Sequence, residues 1–310
     1  MTNKEIYRQL YDECSDLPLF LQHWWLDVVC AVWDVAIVYN GDKVAGVWPY
    51  NAEHKAGVSI IRTPALTPYF GPYIFYPHDL KESKKDNFEH ETVAALLAQM
   101  PAAKVWNVAL LPGHKQVGLY KQHGFDIDMR QTFLMSLQDE EEEIFLRLNE
   151  DYRRNIRKAA LTIDNEPAML LQLHSYLGAT LGRKGTKMHH SLQLMQKLFD
   201  ECCRHHACAL WVARKAGEVQ AILWHVWDGE RAYYLSGSRN PELKDSRAMT
   251  ALIWHAIKES KKMGKVLFDF EGSMDPGVEK FFRNFGGQRE LYLVLAKNDS
   301  LLWKLKNSLR

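Results

Sequence analysis

From Asp34 to Trp48 two apolar-rich runs, Val35–Tyr39 and Val44–Trp48, flank the polar Asn40-Gly41. Such runs on either side of Asn-Gly predict a strand, a tight turn and a returning strand. The same pattern recurs from Ala209 to Trp224, turning at Ala216-Gly217, and the two turning glycines, Gly41 and Gly217, are 176 residues apart. Lys104-Val-Trp106-Asn-Val-Ala109 predicts a further strand, followed by a short amphipathic helix that ends at Gly124. Lys265-Val-Leu-Phe268-Asp-Phe-Glu-Gly272 and the helix ending at Gly286 repeat that arrangement. Trp106 to Phe268 and Gly124 to Gly286 are both 162 residues apart. Glycine ends both helices because a left-handed residue costs it least.

Two motifs in the same order in both halves indicate an internal duplication. The offsets differ by 176 − 162 = 14 residues, which an insertion around the proline-rich run Thr63–His78 explains. Helical periodicity over Glu91–Met100 and Thr250–Lys262 places a helix before each late strand. Ser191–Arg204 is another helix, burying Leu192, Leu194, Met195, Leu198 and Phe199. Acidic residues at 139–143 and basic ones at 153–158 complement a helix dipole, so a long helix or helix pair is expected there as the link between the halves. The boundary is expected near residue 136, giving domains at 1–135 and 136–295 and a C-terminal tail at 296–310 that packs back on the first domain.

Composition narrows the class. The 310 residues are 47% hydrophobic and 25% charged, as in a folded globular chain long enough for two cores. The net charge of +1 excludes a bulk field for nucleic acid, so polyanion contacts must come from local patches. Cys14, Cys30, Cys202, Cys203 and Cys208 lack framework spacing and are expected as reduced thiols. No leader is read at Met1–Arg8, and four prolines break the uncharged run at 63–78, so a cytoplasmic protein without membrane insertion is expected. Cys202-Cys203-Arg-His-His206-Ala-Cys208 suits a tetrahedral metal poorly, and no metal site is expected.

Leu119-Tyr120-Lys-Gln-His-Gly124-Phe125 resembles the late helix of GNAT acyltransferases. In the second half, Phe268-Asp-Phe-Glu-Gly-Ser-Met-Asp-Pro-Gly277 with Phe281-Phe-Arg-Asn-Phe-Gly-Gly287 resembles the Fem-type aminoacyltransferases, which carry two GNAT domains in tandem. Arg153-Arg-Asn-Ile-Arg-Lys-Ala159 resembles the basic helix opening that family's second domain. Phe20-Leu-Gln22, Trp25 and Tyr69-Phe-Gly71-Pro72 resemble its first-domain segments. The resemblance implies an α/β (α+β) fold of two tandem GNAT-like domains, each a mixed, mainly antiparallel sheet flanked by helices. It also implies transfer of an aminoacyl group from charged tRNA to an amine of a peptidoglycan precursor. Thr180-Leu-Gly-Arg183-Lys-Gly185 is similar to the family segment whose arginine grips a precursor phosphate. The family's Phe-Lys pair falls on Phe281-Phe282, without the lysine, and the lysine expected after Trp25 is absent as well.

The candidate chemistry follows acyl transfer, which needs a proton acceptor for the amine and donors for the developing oxyanion. Asp269 and Glu271 end a predicted central strand, where alternation sets both carboxylates on one face, and Arg283 is the candidate beside the acyl carbonyl. Substrate contacts are expected from Arg153, Arg154, Arg157 and Lys158, two turns of cations suited to phosphates. Arg183, Tyr69, Gly272, Ser273, Phe281 and Asn284 complete that set. Ser246 and Arg247, in a segment that also holds Glu242 and Asp245, are the candidates for a donor's pyrophosphate, although the glycine spacing of an acyl-CoA loop is missing. The chain is thus expected to acylate an amine on an anionic, phosphorylated or nucleotide-linked small molecule. Its donor is aminoacyl-tRNA or acyl-CoA, and no tightly bound cofactor is expected. An acyl-CoA N-acetyltransferase with a degenerate pyrophosphate loop and a non-catalytic ligand-binding relative stand as the alternatives.

Overall fold

The computed structural model describes residues 1–13, 17–188, 190–243, 247–272 and 274–300. In chain order the first half forms α1 (Asn3–Glu13), α2 (His23–Val29), β1 (Trp33–Asn40), β2 (Lys43–Lys55), β3 (Val58–Arg62), β4 (Tyr73–Ile74), α3 (Glu82–Gln99), β5 (Val105–Ala109) and α4 (Val117–Gln122). It continues through β6 (Asp126–Ser136), α5 (Glu141–Arg147), α6 (Glu150–Lys158), β7 (Thr162–Asn165), α7 (Leu170–Arg183) and α8 (Leu192–Arg204). The rest is β8 (Cys208–Lys215), β9 (Glu218–Trp227), β10 (Arg231–Arg239), α9 (Arg247–Lys262), β11 (Leu267–Asp269), α10 (Pro276–Arg283) and β12 (Gln288–Asn298). These elements form two compact units, one of Met1–Arg130 with the chain from Leu291 onward, the other of Gln131–Glu290. The expected tail at 296–310 divides accordingly: β12 runs to Asn298, and residues 301–310 lie outside the described residues.

In the first unit β1, β2 and β3 are antiparallel neighbours, β3 runs parallel to β5, and β5 is antiparallel to β12. The second unit repeats the plan: β7, β8, β9 and β10 are antiparallel, β10 runs parallel to β11, and β11 is antiparallel to β6. Each unit is a mixed, mainly antiparallel sheet with one parallel pair. The strand after Gly124, β6, completes the second unit's sheet, and the strand after Gly286, β12, completes the first unit's. Both glycines have positive φ, +78° and +81°.

The cores follow the repeat. In the first, Trp48, Val93, Leu96, Trp106, Val108 and Tyr120 pack together, and in the second, Leu223, Leu252, Ile253, Phe268, Phe270 and Phe282. The basic segment is a helix pair, not one helix. It breaks at Leu148-Asn149, where Asn149 accepts the Asp151 N–H and caps α6. Ser191 caps α8 by accepting the Leu194 N–H at 3.2 Å.

Candidate functional site

The parallel pair of the second unit ends early. β10 and β11 pair at Arg231–Leu267, Ala232–Phe268 and Tyr233–Asp269, after which β10 runs on to Arg239 beside β9 alone. A bulge between Tyr234 and Ser236 turns β10 further at this point. Among the described residues no backbone hydrogen bond joins β10 beyond Tyr233 to the chain after Asp269. In the first unit the equivalent divergence is stitched shut. Thr63 N–H donates to Asn107 O, Ala109 N–H to Thr63 Oγ1 and Phe70 N–H to Ala109 O, at 3.0, 2.8 and 2.6 Å. Asn107 and Ala109 are the repeat partners of Asp269 and Glu271, so the opening belongs to the second unit.

Asp269 is fully buried and its Oδ1 accepts the Thr132 hydroxyl at 2.5 Å and the Glu271 backbone N–H at 2.8 Å. The alternation read from the sequence therefore fails here. β11 stops at Asp269, Glu271 takes φ +56°, and the two carboxylates meet through a turn and not along one strand face. The physical reason is the loss of the β10 partner after Tyr233, which frees the chain to turn. Gly272 follows at φ +58°, and a Cβ there would lie 1.9 Å from Gln131 O. Only glycine fits both the conformation and the space.

Glu271 keeps part of its surface open, but its Oε1 is enclosed and has no hydrogen-bond partner among the described residues. Burial, reinforced by the Asp269 charge, pushes its carboxyl well above the ordinary carboxylate range. Tyr234, which sequence reasoning missed, belongs to the same opening. Burial raises its phenol, with the Glu271 charge adding to the rise, and its ring packs on Phe282 at 5.2 Å. Its hydroxyl lies over Gly237, where a Cβ would approach it to 2.5 Å. In sequence Tyr234 reads as one more aromatic of a core strand; only the bulge singles it out.

The C-terminus of α7 spans the rim. Thr180 Oγ1 lies 3.1 Å from Ser238 Oγ on β10, Arg183 donates to Pro241 O at 2.8 Å, and Lys184 Nζ reaches Asp275 Oδ2 at 2.7 Å. Asp275 in turn caps α10 by accepting the Gly277 and Val278 N–H groups. Arg183 thus lies at the far end of β10, while Lys184 reaches the segment that follows Gly272. Ser273 and Ser246 fall outside the described residues.

Other expected residues go elsewhere. Arg283 is exposed on α10 and pairs with Glu279 at 3.6 Å. Asn284 is the C-cap of α10, and its carbonyl accepts the Asn149 N–H. Phe281 packs half-buried against Tyr152 and Phe285, while Phe282, where the Fem-type pattern has lysine, is buried against Tyr234 and Phe270. Tyr69 is buried in the first unit between Phe20 and Tyr292. The four cations of α6 do not gather into one grip, because Tyr152 and Ile156 turn the helix's apolar side to the core and spread the others around it. Arg153 is half-buried, Arg154 pairs with Asp151 at 2.5 Å, and Arg157 lies over the Phe145 ring at 5.1 Å. Lys158 and Arg247 both line a small cavity beside the first turn of α9.

Residues 147–283 match the family described as acetyltransferase (GNAT) domain. Among solved structures the chain is similar to FemX, with a TM-score of 0.66 at 12% identity over 92% of this chain and 95% of that one. It is also similar to the C-terminal domain (DUF2156) of an Agrobacterium fabrum protein assigned as a lysylphosphatidylglycerol synthetase. There the TM-score is 0.51 at 12% identity, over 99% of this chain and 96% of that one. A conserved protein of unknown function from Bacteroides thetaiotaomicron gives 0.51 at 8% identity, over 95% and 97%. At such identities the likeness shows the fold. No curated protein sequence matches the chain.

Proposed function

We propose, for a chain whose residues 147–283 form an acetyltransferase (GNAT) domain, that the second unit transfers an acyl or aminoacyl group to an amine at the divergence of β10 and β11. One observation carries this reading: a carboxyl with a raised pKa, on a left-handed residue, sits where the parallel pair opens, while the other unit's equivalent place is closed. The donor's acyl group enters where β10 and β11 part beyond Tyr233 and Asp269. The amine nitrogen attacks the carbonyl carbon, and its proton passes to the Glu271 carboxylate. A base tuned upward from the carboxylate range is better matched to an amine near neutral pH. The bond from carbonyl carbon to the leaving oxygen or sulfur then breaks, and the leaving atom takes the Tyr234 hydroxyl proton, which the proton held on Glu271 replaces. Asp269 is a positioning residue, since it holds the turn that aims Glu271 and does not face the opening by itself.

The name FemX, together with the sequence resemblance, supports an anionic, phosphorylated or nucleotide-linked acceptor, with Arg183 and Lys184 on the rim to meet its charge. The absence of a glycine-rich pyrophosphate turn favours aminoacyl-tRNA over acyl-CoA as donor. The buried Phe282 in place of a lysine means that any tRNA end is held without that cation.

The experiment is transfer by the purified protein to an amine acceptor such as a UDP-linked muropeptide precursor, with aminoacyl-tRNA and acetyl-CoA supplied separately. Glu271→Gln is expected to lower turnover at least 100-fold with an unchanged fold. Transfer with acetyl-CoA alone would make it an acetyltransferase. Unaltered turnover in Glu271→Gln would remove that residue from the chemistry.

A further inference from the structure

Three thiols of the second unit come together where α8 gives way to β8, two strands from β10 in the sheet. The helix ends in a closed pattern. His206 N–H donates to Cys203 O at 3.1 Å and Ala207 N–H to Cys202 O at 2.8 Å, with His206 left-handed at φ +51°. Two such bonds around one left-handed residue make a Schellman closure, in which glycine is the usual occupant of the position that His206 fills. The closure turns the chain back over the last turn of α8, so that β8 starts beside it. Cys203 Sγ and Cys208 Sγ thereby lie 3.6 Å apart. Cys203 is exposed, Cys208 half-buried and Cys202 fully buried, and all three are free thiols.

The surroundings decide how these sulfurs react. Burial first and the Cys208 sulfur second push the Cys203 thiol up to about 12, and Asp200 adds to the rise. Of the other charged groups at the junction, Glu201 and Arg204 pair with each other, and His205 and His206 lie exposed on the link. Cys208 is raised as well, by its hydrogen bond with Cys202 first and by burial second. The thiolate is the reacting form, so both sulfurs are protonated and slow at neutral pH. A sulfur of high proton affinity is equally a poor leaving group, so a bond made between the two also opens slowly to an outside thiol. Slow closing and slow opening suit a latch and not a rapidly cycling redox catalyst.

We propose that Cys203 and Cys208 are a peroxide-driven modification site, whose disulfide fastens the end of α8 to the start of β8. Cys203, the exposed sulfur, is the one that a peroxide reaches. Its thiolate attacks a peroxide oxygen, the S–O bond forms as the O–O bond breaks, and a sulfenic acid and a hydroxide result. The Cys208 thiolate then attacks the Cys203 sulfur. The S–S bond forms, the S–O bond breaks and a second hydroxide leaves. With the two thiol protons counted, two thiols and one hydrogen peroxide become one disulfide and two waters. The site stands independently of the transfer reaction.

The sequence between the sulfurs supplies the test. Trypsin cuts after Lys197, Arg204 and Arg214, so peptides 198–204 and 205–214 separate in the reduced chain and stay joined in the bridged one. The folded full chain is exposed to hydrogen peroxide, the remaining thiols are alkylated, and the unreduced digest is read by mass spectrometry. The joined pair is expected in the wild-type chain and in Cys202→Ala, and is expected to be lost in Cys203→Ala and in Cys208→Ala. Its rate of formation should rise about tenfold per pH unit from pH 7 to 9, as the thiolate fraction does. A wild-type chain that yields no joined pair at either pH, with Cys203 oxidised or not, would overturn the proposal. So would a pair that persists in Cys203→Ala or disappears in Cys202→Ala, since the bridge would then involve Cys202.

Discussion

The Asp269 side chain holds the Glu271 backbone: Oδ1 accepts its N–H at 2.8 Å while also accepting the Thr132 hydroxyl. That bond spans the two residues over which β11 ends and the chain turns left-handed. One carboxylate thereby fixes the position of the other, and its charge adds to the burial that raises the proton affinity of the second. The backbone geometry of Glu271 is set by Asp269, and its proton affinity by burial first and the Asp269 charge second.

Asp269→Asn separates these two effects. The amide oxygen can accept the same two hydrogen bonds, so the turn survives, but the neighbouring negative charge is gone. The Glu271 pKa should fall towards its ordinary range, and the acid limb of the pH profile of kcat/KM should move to lower pH with KM little changed. An unmoved limb with a collapsed fold would show Asp269 to be structural only.

Glu271→Gln should raise stability where it lowers turnover. A carboxyl whose pKa is higher in the folded chain than in the unfolded one loses protons on unfolding, so its burial weakens the fold as pH rises from about 4.3 to the folded value. Above that window the penalty is complete, and glutamine removes it. Urea midpoints of the two proteins should coincide near pH 4 and diverge towards pH 8, the variant being the more stable.

How much of this was legible in sequence depends on the range of the interaction. The hairpins at Gly41 and Gly217 and the helices ending at Gly124 and Gly286 are local, and apolar runs with glycine placement announce them. The destination of β6 and β12 was not, because a strand's partner is chosen by tertiary pairing; the same holds for the end of β11, set where β10 departs. Asp269 and Glu271 stand out in sequence as candidate carboxylates, yet alternation sets them on one strand face, since it assumes that pairing continues. Tyr234 reads as an ordinary strand residue, and only the bulge sets it apart.

Acid should weaken the fold through two histidines. Burial lowers His225 to about 3 and His114 to about 4. His225 accepts the Trp211 indole N–H at Nδ1 and lies 3.0 Å from Ser260 Oγ through Nε2, while Ser260 donates to Ala256 O. Those partners suit the neutral ring, with its proton on Nε2. Between these values and the unfolded value of about 6.5 the unfolded chain binds a proton that the native chain refuses, so stability falls as pH falls. The slope is up to about 1.4 kcal/mol per pH unit for each histidine. Urea midpoints at pH 7.5, 6 and 5 measure it, and His225→Gln, though less stable throughout, should show a shallower slope.

Glycines 272 and 41 share a left-handed φ, +58° and +62°, but not their surroundings. A Cβ at Gly41 meets nothing within 4 Å, whereas at Gly272 it would lie 1.9 Å from Gln131 O and 2.6 Å from Thr132 Cα. Both contacts are backbone, so no rotamer change relieves them. Gly41→Ala should therefore cost only the conformational penalty, about 1 kcal/mol. Gly272→Ala adds overpacking and should cost about 3 kcal/mol or more. It also displaces Glu271, so its kcat should fall even at temperatures where circular dichroism shows it folded. Equal melting temperatures for the two variants would mean that the chain around Gln131 yields easily, and that Glu271 is not held in the place from which its chemistry is argued.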